Sequence, residues 1–483
     1  MKQRNNLIDL TKIRKIHFVG IKGVGMTALA LCAKNMGMEI SGSDAGEEYF
    51  VTEETLKKVK INYFNNFAAE HIANADLVIF TGAHGGENNL EVKTAKKRGI
   101  SILSHGEALG LLMSKNYGIS VAGVGGKTTT SAMIATIFDV ADKHPSFCIG
   151  VAGIVPLGLP GRYDKKGKYF IAEADEYFTS PQDPTPRFLY QNPKIIVITN
   201  IEFDHPDVYQ NLNQTLTVFK KFIEKIPTDG LLIANIDNVN IKKLIQLTKV
   251  PIETYGFSKT ADWRIELTYK QNKKTNFSLY HQGKIINNLF LSVPGKFNIK
   301  NATAAFITAY KCGINIDKIK QGLGLFGGTK RRFEFIKKIN DVMLFDDYAH
   351  HPKEIEATLE SAKEKFGKKR IIAIFQPHTY SRTKALFLHF AKSFKKADTI
   401  FITPIYASAR EKNDLGISSE KLVKEIKKYH QDVTFINNKQ VLRIKLRKLV
   451  KRGDVIFTIG AGDIFTWHED IINNLKLIIN NDK

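Results

Sequence analysis

Two kinds of residue in this chain could do chemistry together: a lysine framed by glycines, and acidic or imidazole side chains placed just after short β-branched runs. The lysine is Lys127, within Gly123-Val124-Gly125-Gly126-Lys127-Thr128-Thr129. Glycines without Cβ let backbone N–H groups close around a phosphate, and a following helix N-terminus favours negative charge there. Lys127 then supplies a cation for terminal phosphates, and the Thr128 hydroxyl suits the shell of a Mg²⁺. The commoner Gly-x-x-x-x-Gly-Lys-Thr spacing needs glycine at 121, where Val121 stands, so this loop is the shorter Gly-x-x-Gly-Lys-Thr form. An ordinary turn with a chance lysine is the competing reading. The run Ile119–Val121 before the loop and the helical spacing of Met133, Ile134 and Ile137 after it favour a nucleotide cradle, with ATP expected.

The acidic partners follow two further strand-like runs. Lys168-Tyr-Phe-Ile-Ala leads into Glu173-Ala-Asp175-Glu176, and Lys194-Ile-Ile-Val-Ile leads into Thr199-Asn-Ile-Glu202-Phe-Asp204-His205. Ligands of parallel sheets gather beyond the carboxyl ends of the strands, so Thr128, Glu173 and His205 are expected in one crevice. Oxygen donors fit Mg²⁺, and an imidazole beside them would be distinctive. Capping a helix is the alternative for the acidic residues. A phosphate loop in the same domain favours the metal.

These residues need elements to position them. The run Arg14–Val19, the turn Gly20-Ile-Lys-Gly23-Val24-Gly25 and a second run ending at Asp44 follow the strand–glycine loop–helix–strand–acid plan of a dinucleotide fold. The glycine order is Gly-x-x-Gly-x-Gly; the loop suits a pyrophosphate and leaves the nucleotide open. Residues 12–112 form this first unit, 113–326 the central phosphate-loop unit, and 327–483 a third. Within the second, residues 251–295 read as a β-rich insertion with a turn at His281-Gln-Gly-Lys. In the third, polar residues follow every strand: Asp347 and His350-His351-Pro, Gln376-Pro-His378, Tyr406 to Glu411, and Gly460-Ala-Gly462-Asp463. The expected class is α/β: a Rossmann-like first domain, a central P-loop ATPase domain on a parallel sheet, and a Rossmann-like third domain.

Composition narrows the setting. The 483 residues carry a formal net charge of +23, but the lysines are spread in pairs along the chain without an aromatic-interleaved stripe. Attraction of small anionic substrates is therefore expected rather than nucleic-acid binding. No apolar run approaches the roughly 18–20 residues of a membrane span, and the first ten residues lack a signal peptide's apolar core. Cys32, Cys148 and Cys312 lie far apart, which argues against a disulfide framework and for the cytoplasm.

Taken in order, these motifs resemble the Mur ligases, ATP-dependent amide-forming enzymes of peptidoglycan precursor synthesis. The markers are Gly20-Ile-Lys-Gly-Val-Gly-Met, Ser41-Gly-Ser-Asp, Gly126-Lys-Thr-Thr-Thr, Glu173-Ala-Asp-Glu, Thr199-Asn-Ile-Glu, Asp204-His, Lys330-Arg-Arg-Phe, Asp346-Asp-Tyr-Ala-His-His-Pro, Gln376-Pro-His, Ser381-Arg-Thr and Gly460-Ala-Gly-Asp. The resemblance implies that a first domain holds UDP-N-acetylmuramate, with Gly20, Gly23, Val24, Gly25 and Asp44 at the sugar nucleotide. It implies a central ATPase with Lys127 and Thr128 at the phosphates, and Thr128, Glu173 and His205 at Mg²⁺. Asn298 would read adenine, Asp347 would reach the nucleotide, and Arg331, His351 and Arg382 would line a closed site, with His351 taking the amine's proton. The expected reaction joins an amino acid, L-alanine foremost, to the sugar's carboxylate through an acyl phosphate, in a monomer or homodimer. A family member that uses a ready-made tripeptide, and a nucleotide-switched binding module, are the alternatives. The chain departs from the family pattern at Phe297, where histidine is usual, at Thr379, where arginine is usual, and around His105-Gly106-Glu107, which has no arginine.

Overall fold

The computed structural model describes residues 8–46, 50–268, 275–407, 411 and 414–478; Arg410, in the turn from Tyr406, lies outside them. The chain divides into two compact units. The first holds residues 1–203, 208–292 and 298–329, and the second holds 204–207, 293–297 and 330–483.

The first unit contains two sheets. Its five-stranded sheet runs in the order Asn62–Phe64, Glu39–Ser43, Lys15–Val19, Leu77–Phe80, Ser101–Ser104, all pairs parallel. This is the 3-2-1-4-5 order of a Rossmann-like half. Val24–Asn35 forms a helix, whose Ala28, Leu29, Leu31 and Cys32 are buried, so the first strand feeds through the glycine turn into a packed helix.

The second sheet has ten strands. At its centre Tyr117–Ala122 lies parallel to Tyr169–Ala174 on one side and Ile195–Ile198 on the other. Ala122 pairs with both Ala174 and Ile198, so the three strands end level and their loops share one edge. Near-continuous apolar runs such as Ile195–Ile198 are buried on both faces, as a parallel sheet covered by helices requires. The helix Lys127–Val140 is buried on nearly every side, because Ile316–Leu325 packs on it through Gly322, where a Cβ would lie 2.7 Å from the Ile137 Cα.

Residues 251–295 are β-rich as expected, and their strands extend this sheet. Ile252–Gly256 joins it in parallel, Trp263–Leu267 follows, and the hairpin Thr275–His281/Lys284–Leu291 closes that edge antiparallel. The predicted alternation is present in Trp263–Leu267, where Trp263 and Ile265 are buried while Arg264 and Glu266 are more exposed. The predicted turn at His281 is present, with positive φ at Gln282 and Gly283.

The second unit is a six-stranded sheet in the order Glu334–Ile339, Val342–Asp347, Val455–Ile459, Ile371–Phe375, Thr399–Ile402, Val433–Phe435. Only its first pair is antiparallel. Asp347, Gln376 and Gly460 stand at neighbouring carboxyl ends.

Candidate active site

The phosphate loop bridges the strand Tyr117–Ala122 and the helix Lys127–Val140, whose N-cap is Gly126 with φ +88°. A Cβ on Gly126 would lie 2.6 Å from the Asn301 Oδ1, and one on Gly123 (φ +132°) would overlap the Thr199 hydroxyl. Glycine is required at both positions. The next strand end clamps Gly125: its N–H donates to the Asn200 Oδ1 at 2.9 Å, while its carbonyl accepts from the Asn200 Nδ2 (2.7 Å) and the Thr199 Oγ1 (2.6 Å). Asn301 also donates to Asn298 at 3.3 Å, so one short chain of amides runs from the loop to the expected adenine-reading residue.

Lys127 turns onto the acidic strand end. Its Nζ lies 3.0 Å from the Glu176 Oε2. Burial alone would lower the pKa of Lys127, but the Glu176 and Asp175 carboxylates outweigh it and hold the lysine above its ordinary value. The sequence reading put Glu173 foremost in this motif and gave Glu176 no role. Glu173 instead accepts from the Gly150 N–H at 2.9 Å, and its own carbonyl accepts from Gln191, which also takes the Ser120 hydroxyl proton at 2.5 Å. Glu176 is buried at 1% exposure, and the buried Tyr209 hydroxyl donates to its carbonyl. Spacing could not separate the carboxylates, because Glu173 is the strand's penultimate residue while Glu176 lies two residues past its end.

The Gly20–Gly25 turn sits between its strand and helix as expected. Gly20 has φ +86°, and its N–H donates to the Ser43 carbonyl at 2.8 Å. Asp44 grips the turn: its Oδ2 accepts from the Lys22 N–H at 2.7 Å, its Oδ1 accepts from the Ala45 N–H at 2.8 Å, and the His84 Nε2 lies 3.1 Å away. Gly23 is the helix N-cap, and Val24 and Gly25 lie in the first turn.

In the second unit, Asp204 and Arg382 form a buried pair, the Arg382 Nε donating at 2.8 Å. Burial would raise the Asp204 pKa, but the guanidinium prevails and holds it well below the carboxylate range. Arg382 also donates to the His378 carbonyl at 3.0 Å and lies 3.5 Å from the His205 Nδ1. Arg382 thus braces His205, which has φ +56°. Thr379 caps the short helix carrying Arg382, which gives the departure at this position a local reason.

Three residues expected in this part take more specific parts. Arg331 spends its guanidinium on Asp346 (2.9 Å) and the Gly460 (2.6 Å) and Gly462 (3.3 Å) carbonyls, so it holds the Gly460–Gly462 turn. Asp347 accepts the Phe333 and Ala349 N–H groups, each at 2.8 Å, and burial pushes its pKa up to about 6. His351 is the N-cap of the helix Pro352–Phe366, with its Nδ1 accepting the Lys353 N–H at 3.2 Å and Glu354 closing the capping box. That bond occupies the Nδ1 lone pair.

Comparisons with known proteins cover nearly the full length of the chain. It matches the Mur ligase family, catalytic domain over residues 15–117, the Mur ligase middle domain over 121–309, and the Mur ligase, glutamate ligase domain over 331–462. A UDP-N-acetylmuramate–L-alanine ligase from Caldanaerobacter subterraneus is 40% identical over 476 residues, 97% of this chain and 99% of the relative. Another from Geotalea uraniireducens is 39% identical over 466 residues, 96% and 99% of the two chains. Among solved structures, the UDP-N-acetylmuramate–alanine ligase of Thermotoga maritima superposes with a TM-score of 0.78 at 27% identity, covering 97% of this chain and all of that one. A murein peptide ligase from Psychrobacter arcticus shares the fold, with a TM-score of 0.71 at 24% identity and coverage of 96% and 99%. A phosphate loop, an acidic strand end and a third α/β domain in this order, matched from end to end, make the chain a member of the Mur ligase family.

Proposed function

We propose that this chain joins L-alanine to the carboxylate of UDP-N-acetylmuramate, using ATP and releasing ADP and phosphate, in peptidoglycan precursor synthesis in the cytoplasm. Its near full-length similarity to ligases of that name supports the substrates. The observation that carries the chemistry is Lys127, set in a glycine loop and held by a buried carboxylate until a stronger anion arrives. The three domains take residues 12–112, 113–326 and 327–483.

Gly123 to Thr129 cradle the phosphates, and Lys127 exchanges Glu176 for the γ-phosphate. The donors proposed for Mg²⁺, the Thr128 hydroxyl, the Glu173 carboxylate and the His205 imidazole, include the hard oxygens this ion prefers. Lys127 pairs with Glu176 and Arg187 with Asp175, so the Glu173 carboxylate leaves this strand end with excess negative charge and a cation fits there. When bound, Mg²⁺ offsets charge spread over the transferring phosphoryl group. Asn298 reads adenine and Asp347 meets the nucleotide. Arg331 acts through the Gly460–Gly462 turn, Arg382 through Asp204 and His205, and His351 by capping its helix. The sugar nucleotide lies on Gly20, Gly23, Val24 and Gly25, with Asp44 holding their turn.

The sugar's carboxylate oxygen attacks the γ-phosphorus, which gives an acyl phosphate and ADP. The uncharged amine then attacks the acyl carbon, the tetrahedral intermediate expels phosphate with that oxygen, and the amine's proton ends on the departing phosphate. The test is phosphate release with ATP, Mg²⁺ and UDP-N-acetylmuramate, adding L-alanine, glycine, L-serine or the tripeptide in turn. L-alanine is expected to give the highest kcat/KM. Turnover with the tripeptide alone, or with no amine at all, would overturn the assignment.

A further inference from the structure

The sugar-nucleotide domain contains a histidine that no step above uses. His105 opens the helix His105–Met113, just after the fifth strand of the first sheet. Both its ring nitrogens are buried, and neither meets a hydrogen-bond partner. Burial, helped by the Arg187 guanidinium, pushes its pKa down to about 4, so the ring is neutral, with one N–H to give and one lone pair to fill. The Gly25 carbonyl beside it exerts a weak pull without the geometry of a bond. An unsatisfied buried imidazole costs stability, and a ligand that satisfies it is the usual compensation at a binding site.

Its position identifies the ligand. A Cβ on Gly25 would stand 3.2 Å from the His105 Nε2, so glycine leaves this side of the turn open to the ring. Gly25 lies in the first turn of the helix Val24–Asn35, where N–H groups lack intrahelical acceptors and attract anions. The turn's own lysine is not available to such an anion. Lys22 is 1% exposed, and its Nζ points at the Glu53 carboxylate (3.2 Å) and the Gly46 carbonyl (3.3 Å).

We propose that His105 is a substrate-contacting residue, its neutral ring donating an N–H to a diphosphate oxygen of the sugar nucleotide as that group settles on the first turn behind Gly23. The inference rests on the reading that UDP-N-acetylmuramate occupies the Gly20–Gly25 turn.

Calorimetric titration of the full chain with UDP-N-acetylmuramate, and separately with ATP and Mg²⁺, tests it. His105→Ala should weaken the sugar nucleotide about tenfold or more, the scale of a hydrogen bond to a charged group. His105→Gln, which keeps a neutral donor, should recover most of that loss, while ATP affinity should stay at the parental value and Tm should not fall in either variant. Sugar-nucleotide affinity unchanged in His105→Ala overturns the proposal, as does an equal loss in both variants with a lowered Tm. If the parent itself fails to bind UDP-N-acetylmuramate, the functional reading falls and this inference with it, whereas parental binding with an unaffected His105→Ala removes only the inference. Should both variants unfold, ¹⁵N-histidine spectra of the parent decide: an imidazole nitrogen signal moving from the unbonded to the bonded range on adding UDP-N-acetylmuramate supports it, and no such shift overturns it.

Discussion

At the scale of single residues, the structure turns types into roles that spacing alone left ambiguous. His351 in a His-His-Pro turn reads as a base, yet Pro352 at the first helical position and Glu354 two residues on are start signals of a capped helix. The capping signal was legible and outweighs the chemical one. His351→Asn keeps a capping acceptor and should therefore retain kcat within about fivefold, whereas loss of a general base would cost about 10²–10⁴-fold. His351→Ala should instead lower stability by about 0.5–2 kcal/mol, read by urea denaturation. Asp347 supplies a second prediction. Unfolded, an aspartate titrates near about 4, while folded Asp347 titrates at about 6 because it is buried. Between those values the folded chain holds the extra proton, so stability is full below pH ~4, falls as pH rises through ~6, and stays lower above. Asp347→Asn removes that dependence. The variant should gain on the parent by on the order of 2–3 kcal/mol between pH 4 and pH 7.5 in urea midpoints. A gap that does not change with pH would contradict the assignment.

At the scale of elements, strands and the loops between them were legible because glycine, β-branched runs and 3.6-residue spacing act locally. Lys15–Val19, Glu39–Ser43, Tyr117–Ala122 and the helix after Gly126 all stand where the pattern puts them. Pairing was not legible in the same way. Residues 251–295 read as β-rich because their alternation is local, while the entry of Ile252–Gly256 into the ten-stranded sheet depends on partners 20 residues upstream. Close approach of elements is also hidden. Gly161, after Pro160, reads locally as a turn residue, yet it lies in the short strand Gly161–Arg162, where a Cβ would overlap the Ala28 carbonyl in the helix behind the Gly20–Gly25 turn. The obstacle is backbone, so Gly161→Ala must displace that helix and should cost about 1–3 kcal/mol in a denaturant titration. An unchanged midpoint would show that the helix moves freely.

At the scale of the whole molecule, a net charge of +23 with no aromatic-interleaved basic stripe suits the two anionic nucleotides proposed as substrates. Such a charge raises encounter rates, an effect that added salt screens, without specifying any one partner. The order of motifs along the chain was enough to read the α/β class, because the motifs recur at the carboxyl ends of parallel strands. Which carboxylate holds Lys127, and which arginine braces rather than binds, depended on distances that sequence does not encode. The claim that unites these observations is that Lys127 and its loop transfer a phosphoryl group to a carboxylate rather than to water. The most direct measurement uses UDP-N-acetylmuramate labelled with ¹⁸O in its carboxylate, together with ATP, Mg²⁺ and L-alanine, and mass analysis of the released phosphate. An acyl phosphate predicts one ¹⁸O in every phosphate formed per amide, the other remaining in the product's carbonyl; phosphate released without label would contradict it.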